Sequence, residues 1–216
     1  MTLKFINACK TNDMDTIQEM PPDIDINTRD DCFIVACKVG NVDVMKYLIE
    51  LGVDIHTTIE AGFRLACMNG HIDVVKYLVL NQDFKDCNAH GFRNACWYGR
   101  IDVVKYLVLI NKDTIDEEGF RLACMNGRID IVRYIVENTN INIHGRRGAN
   151  LRGAYLNGHI DIVQYLVTLQ QCAKYRKNNK TRCVIANINV NDYSYRHSNK
   201  YINNLGSYNY NNKFIL

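Results

Sequence analysis

One eleven-residue segment recurs along the chain almost unchanged, and this recurrence limits the fold more than any other feature. It reads NGHIDVVKYLV at residues 69–79, and each copy carries a glycine at the same place. A unit of about 30 residues is a supersecondary element that cannot bury its own apolar face, so it must stack on its neighbours. The chain is therefore predicted to be an array of repeats. The repeated glycines, 28 to 31 residues apart, are Gly40, Gly70, Gly99, Gly127 and Gly158.

Each unit has the pattern of a helix, a tight turn and a second helix. In the third unit, residues 63–68 are the predicted first helix, and the small pair Ala66-Cys67 lies on its apolar face. Asn69-Gly70 end this helix, because glycine adopts the left-handed conformation of a helix C-terminus without a steric penalty. About ten polar residues then separate the second helix from the next unit. The predicted apolar stripe of the second helix is Ile72, Val75, Leu78 and Val79.

The repeat resembles the ankyrin repeat. The resemblance is clearest in ACMNGHIDVVKYLV, residues 66–79, and the sequence GVDI at residues 52–55 matches the end of an ankyrin unit. Residues 5–20 fit the same register, so the resemblance covers about residues 2–170 and six units. It implies an all-α fold, a solenoid of stacked helix-turn-helix pairs. The lysine-tyrosine-leucine-valine endings and the Asn/Tyr-rich tail are also similar to ankyrin proteins of large amoeba-infecting DNA viruses.

The repeats depart from the family pattern at their start. The family's Thr-Pro-Leu-His is replaced by AGFR, HGFR and EGFR, which begin at Ala61, His90 and Glu118. The period is also shorter than the family's, at about 30 residues instead of 33. Short or degenerate hairpin loops are therefore predicted. The domain prediction is an N-terminal capping repeat over residues 1–30, about five ankyrin repeats over residues 31–170, and a basic, disordered, low-complexity tail over residues 171–216.

Charge and cysteine content indicate an intracellular protein. The tail carries about +7 and the repeats about −4, out of a net charge of +3. No apolar run is long enough for a membrane helix, and the N-terminus lacks the apolar core of a secretory signal. Most of the nine cysteines recur at one register, as expected for small buried residues in a reducing compartment. The predicted location is the cytoplasm, the host cytoplasm if the protein is viral, with the nucleus as an alternative.

Neither a metal site nor an active site is predicted. Stacked helices lie about 8–10 Å apart, whereas two thiolates on one zinc ion must lie within about 4 Å. A single cysteine per repeat therefore cannot build a zinc site. His71 and His159 alternate with Arg100, Arg128 and Asn41 at one register, which favours a solvent-exposed or capping role over metal ligation or general base catalysis. We predict no cofactor, no enzyme activity, no membrane association and a monomer. The ladder cysteines are Cys37, Cys67, Cys96 and Cys124.

The predicted function is that of a scaffold that binds a protein partner, with a host protein as one candidate. The resemblance implies binding on the concave surface, toward which the residues between the small pair and the turn glycine point. Trp97 is the only tryptophan and stands in the middle of the array, and aromatic anchors dominate interface energies. The alternative is that Trp97 lies flat on Met68 and Met125 and covers the stack. The predicted partner-binding residues are Lys38, Met68, Asn69, Trp97, Tyr98, Met125, Asn126, Leu156 and Asn157.

Two further alternatives stay open. The basic, tyrosine-rich tail has the charge for phosphate contacts and the rings for base stacking, so a nucleic-acid-associated protein is the second function. One arginine per repeat also recurs on the first helices. Its guanidinium suits bridges to carbonyls or carboxylates of the preceding loop, such as Glu60, Glu117 or Glu118, which is the favoured interpretation, or a basic stripe that binds an acidic partner. These arginines are Arg64, Arg93, Arg121 and Arg152.

Overall fold

The computed structural model describes residues 2–21, 24–53, 58–81, 88–111, 115–143 and 145–177. Within these ranges the chain forms α-helices and no β-strand, which confirms the prediction of an all-α repeat fold. Two compact units are distinguished, Met1–Ile162 and Val163–Leu216. The helices are α1 Thr2–Thr11, α2 Met14–Gln18, α3 Ile26–Val39, α4 Val42–Glu50, α5 Thr58–Asn69, α6 Ile72–Asn81, α7 Asn88–Tyr98, α8 Ile101–Ile110, α9 Glu117–Met125, α10 Ile129–Asn138, α11 Gly145–Leu156 and α12 Ile160–Lys177.

The first unit is built from two layers of helices. The first helices of the repeats stack in chain order, as α1, α3, α5, α7, α9 and α11. The second helices α2, α4, α6, α8 and α10 form the other layer, and each packs against the first helix of its repeat or the neighbouring second helices. Stacking buries the apolar face of one repeat against the next, because no pair of helices encloses a core by itself.

The first helices are longer than the sequence pattern predicts. In the third repeat the helix begins at Thr58 and not at Phe63, and Thr58, Ile59 and Gly62 are buried. The prediction was wrong because burial against neighbouring helices stabilises the extra turn, and the sequence of this segment does not indicate that burial. In the second helix α6, Val74 is fully buried with Val75 and Leu78. Ile72 and Val79, which the predicted stripe included, are only half-buried, so the buried face is shifted from the predicted one.

A glycine in the middle of the first helices lets the layers approach closely. A methyl group on Gly62 would lie 2.7 Å from Cε1 of Phe33, in the preceding repeat. Gly91 and Gly119 receive the rings of Phe63 and Phe92 in the same way. Phe33, Phe63 and Phe92 therefore each fill the space that the glycine of the next repeat leaves open. The buried rings are Phe33, Phe63, Phe92 and Phe120.

Several predicted boundaries can be compared with the helices. Helix α3 begins at Ile26, inside the segment 1–30 assigned to the capping repeat. Helix α12 continues to Lys177, seven residues into the predicted tail, because neither glycine nor proline interrupts residues 160–177. The rest of the tail, residues 178–216, lies outside the described residues. So do residues 54–57, 82–87, 112–114 and 144, where most of the hairpin loops were predicted.

Candidate protein-binding surface

The turn between the two helices of a repeat places the predicted binding residues. At the end of α3, Gly40 adopts a left-handed conformation with φ of 87°, and its N–H donates to the carbonyl of Ala36 over 2.9 Å. The N–H of Asn41 donates to the same carbonyl over 3.0 Å. This geometry satisfies the end of the first helix and starts the second helix within two residues. The side chains just before the glycine therefore stand at the rim of the first-helix layer.

The residue after each turn glycine reaches across to the preceding repeat. Its side chain hydrogen-bonds to a backbone carbonyl near the end of the preceding first helix, so it joins two repeats directly. We call these five side chains the latch residues. They are Asn41, His71, Arg100, Arg128 and His159, and their partners are the carbonyl oxygens of Cys9, Lys38, Met68, Trp97 and Met125, at 2.5, 2.9, 2.9, 3.1 and 3.0 Å.

The turn glycines make room for the latch residues. A methyl group on Gly70 would lie 2.9 Å from Cδ of Arg100, and one on Gly99 would lie 2.9 Å from Cδ of Arg128. Glycine is therefore required at these positions for two reasons. Its φ is positive, and the latch side chain of the next repeat passes over it. The capping role predicted for His71 and His159 is confirmed, but the capped carbonyls belong to the preceding repeat.

The predicted binding residues fall into two groups. Trp97 and Tyr98, at the end of α7, are 43% and 42% exposed, and Leu156 at the end of α11 is 71% exposed. Lys38 is also exposed, and Met68 and Met125 are half-buried. All but Tyr98 share one register on successive stacked helices, and Tyr98 stands at the next position, before the turn glycine. They form the candidate surface: Lys38, Met68, Trp97, Tyr98, Met125 and Leu156.

The three predicted asparagines serve the backbone. The side-chain amides of Asn69, Asn126 and Asn157 each donate to the carbonyl four residues earlier, over 2.8 Å in every case. These bonds satisfy carbonyls that the end of a helix leaves free. One side-chain N–H of each asparagine is thus engaged in closing the first helix, and we take the other six residues as the candidate surface.

Two arginines of the first-helix series are paired with carboxylates. Arg93 Nε donates to Oδ2 of Asp116 over 2.5 Å, and Oδ1 of Asp116 accepts from the N–H of Gly119 over 2.7 Å at the start of α9. Arg121 pairs with Glu118 in its own helix. Arg121 Nη1 also lies close to Sδ of Met125, at 2.6 Å. The bridging role is therefore confirmed for Arg93 and Arg121, although Arg93 bridges to the following repeat.

Sequence reasoning missed one exposed aromatic residue. Tyr155 is 39% exposed and precedes Leu156, yet it occupies the register of the ladder cysteines, which are fully buried in the other repeats. The replacement of a small residue by tyrosine at this register was the available signal. Val39, which is 37% exposed beside Lys38, extends the candidate surface at the other end.

The ladder cysteines are buried packing residues. Burial raises the pKa of Cys124 to about 12, and burial likewise raises the pKa values of Cys37, Cys67 and Cys96. Among the described residues, no three histidine, cysteine or acidic side chains lie close enough to hold a metal ion. No helix in this part of the chain combines the length and apolar character needed to cross a membrane.

These observations define a class of protein: a helical repeat protein whose units are joined by side chains from one register. The family model for ankyrin repeats, in three copies, matches residues 5–90 and 92–181. The chain therefore belongs to the ankyrin-repeat family. The comparison with curated proteins returned no match. Ankyrin repeats are generally protein-protein interaction modules.

Proposed function

We propose that this chain is a non-enzymatic scaffold that binds a protein partner on the candidate surface, with Trp97 as the central anchor. The observation that carries the proposal is the exposure of Trp97 and its neighbour Tyr98, at 43% and 42%, in the middle of the stacked helices. Large aromatic side chains at the centre of a surface carry most of the binding energy in many interfaces. Solvent exposure of two adjacent rings is costly unless a partner covers them.

Trp97 is not needed to fill the core of its own repeat. The buried positions of α7 are already occupied by Phe92, Ala95 and Cys96, all of which are fully buried. The indole stands outside this set, one residue beyond Cys96. The exposed position of the indole therefore favours a role in binding over a role in packing, and the melting temperature of Trp97→Ala distinguishes binding from covering the neighbouring methionines.

The backbone around Trp97 is held rigidly, which favours binding. Arg128 Nε donates to the carbonyl of Trp97 over 3.1 Å from the following repeat. One turn earlier, Arg93 is paired with Asp116 at the start of α9. A surface that is ordered before it binds loses less conformational entropy on association. Met68 and Met125 at the equivalent positions add flexible apolar side chains that adapt to a partner.

The finer parts of the proposal rest on the sequence. The resemblance to ankyrin proteins of amoeba-infecting viruses makes a protein of the host cell the first partner to test, with the cytoplasm or nucleus as the location and a monomer as the binding form. The basic tail supports a second function, nucleic-acid association. It predicts binding of single-stranded RNA that weakens steeply with salt and does not depend on Trp97.

The test compares two exposed apolar residues on different layers. Full-length protein, Trp97→Ala and Leu109→Ala serve as bait in an amoebal lysate. Leu109 is 79% exposed on the second helix α8, so its variant controls for non-specific apolar binding. We expect a protein that is retained by the wild type and by Leu109→Ala and lost with Trp97→Ala. Equal retention by all three baits would show that the candidate surface is not the binding site.

A further inference from the structure

One cysteine stands at a position that other repeats reserve for glycine. The residue before the buried phenylalanine is Gly62 in α5, Gly91 in α7 and Gly119 in α9, whereas α3 has Cys32 before Phe33. In α5 this position faces the ladder cysteine of the preceding repeat. A methyl group on Gly62 would lie 2.8 Å from Sγ of Cys37 and 3.2 Å from its Cβ.

The same register brings Cys32 against Cys9. Cys9 occupies the ladder position of the first repeat, and both cysteines have 0% exposure. Their side chains hydrogen-bond to each other. Cys67 is another ladder cysteine, and it faces Gly91 of the next repeat. A methyl group on Gly91 would lie 2.9 Å from Sγ of Cys67. Among the described cysteines, Cys9 and Cys32 are thus the pair that this register places face to face.

The register brings these two positions close to the separation of a disulfide. The Cβ atoms of a disulfide lie about 3.5–4.5 Å apart. At the equivalent positions a Cβ built on Gly62 would lie 3.2 Å from Cβ of Cys37, so the two helices need to separate by only a few tenths of an ångström. We propose that Cys9 and Cys32 are a thiol modification site that forms a reversible disulfide between α1 and α3. The oxidant is a low-molecular-weight disulfide such as glutathione disulfide.

The two thiols have distinct roles in this exchange. The hydrogen bond from the Cys9 thiol lowers the pKa of Cys32, while the same contact, together with burial, raises the pKa of Cys9. The Cys32 thiolate attacks the disulfide of the oxidant, forms a mixed disulfide and releases one thiol. The Cys9 sulfur then attacks Cys32, forms the internal bond and releases the second thiol. Two protein thiols are oxidised, one disulfide is reduced, and the two protons leave with the two released thiols.

The burial of both sulfurs requires that α1 and α2 open transiently before the reaction. These helices have 10 and 5 residues, and short elements with few buried contacts open at low free-energy cost. The new bond would join α1 to α3 beside the latch in which Asn41 Nδ2 donates to the Cys9 carbonyl over 2.5 Å. Oxidation therefore stabilises this end of the described stack without altering the surface around Trp97.

The experiment treats the full-length protein with glutathione disulfide, blocks the remaining thiols and maps the unreduced tryptic peptides. Trypsin places Cys9 in residues 5–10, but Cys32 and Cys37 share residues 30–38. A Cys37→Ala variant removes this ambiguity and should still form the cross-link. We expect linked peptides 5–10 and 30–38, and a thermal midpoint higher by about 5 °C that returns to the starting value with dithiothreitol.

The matched control is Cys32→Gly, which reproduces the residue found at positions 62, 91 and 119. It should fold, lose the cross-link and show no thermal shift on oxidation. A second arm refolds the wild type from urea in a glutathione redox buffer, so that burial cannot block the reaction. The proposal is wrong if folded protein from both arms keeps Cys9 and Cys32 as thiols. It is also wrong if either cysteine is bonded only to another cysteine or to glutathione.

Discussion

Nε2 of His71 lies 2.9 Å from the backbone carbonyl oxygen of Lys38, although 33 residues separate the two positions. The bond joins the turn of the third repeat to the end of the first helix of the second repeat. Arg128 makes the equivalent bond to the carbonyl of Trp97. The latch residues therefore fix the backbone of the residues whose side chains form the candidate surface, so stacking and binding are coupled at one register.

The latch is tested by replacing His71 with alanine. The variant loses one hydrogen bond between repeats, and we expect the free energy of unfolding to fall by about 1 kcal/mol. Chemical denaturation followed by circular dichroism measures this change. His90→Ala is the control, because His90 is exposed and its Nδ1 is 3.8 Å from the Glu60 carboxylate. A solvated pair of this kind contributes little, so equal losses in the two variants would contradict a specific role for the latch.

The binding surface is tested by comparing Trp97→Ala with Asp102→Ala. The first variant should weaken partner binding about thirtyfold, which corresponds to about 2 kcal/mol, and leave the melting temperature nearly unchanged. The second removes an exposed carboxylate from the first turn of α8. It should lower stability by about 0.5 kcal/mol through the helix dipole and leave affinity unchanged. Affinity and melting are measured on the same samples. If Trp97→Ala unfolds the protein, the indole is a packing residue and the proposed site is wrong.

The close approach of the first helices predicts a strong effect at Gly91. Gly91→Ala would place a methyl group against the Phe63 ring and 2.9 Å from Sγ of Cys67. Overpacking of a filled core costs about 1–3 kcal/mol, and we expect a loss in that range by urea denaturation. Adding Phe63→Leu creates space beside the methyl group, so the double variant should lose less than the sum of the two single variants. Additive losses would show that the ring and the glycine do not share this space.

The N-cap of α3 predicts that the stability of the second repeat depends on pH. The Thr28 hydroxyl and N–H both donate to the Asp25 carboxylate, over 2.5 and 3.0 Å, and these bonds lower the pKa of Asp25. Because the folded-state pKa is depressed, the stabilisation is complete above the ordinary aspartate pKa of about 4 and is lost as the pH falls through the folded-state value. Thr28→Val should raise the pKa of Asp25, measured by carboxyl NMR titration. An unchanged titration curve would contradict this assignment.

Much of the fold was predictable because the same short-range sequence pattern recurs in each repeat. The period, the turn glycine and the aspartate of the second helix indicated paired helices, and the stacked layers of α1 to α11 confirm that architecture. The first turn of α5 was missed, since its helical state depends on the burial of Thr58 and Ile59 by neighbouring helices. The binding role of Trp97 stays a prediction, and its side chain is 43% exposed.

The sequence by itself determined the number of helices in a repeat, the turn at each glycine and the register of the exposed residues. These depend on interactions within a few residues, such as the left-handed φ of Gly40 and the cap it forms with Ala36. Only the tertiary structure decided that the His71 ring hydrogen-bonds to the Lys38 carbonyl and that Cys32 contacts Cys9. Contacts between repeats depend on the distance and rotation between stacked helices. Those are set by how Phe33 and Gly62 pack together, a fit between side chains that no single repeat contains.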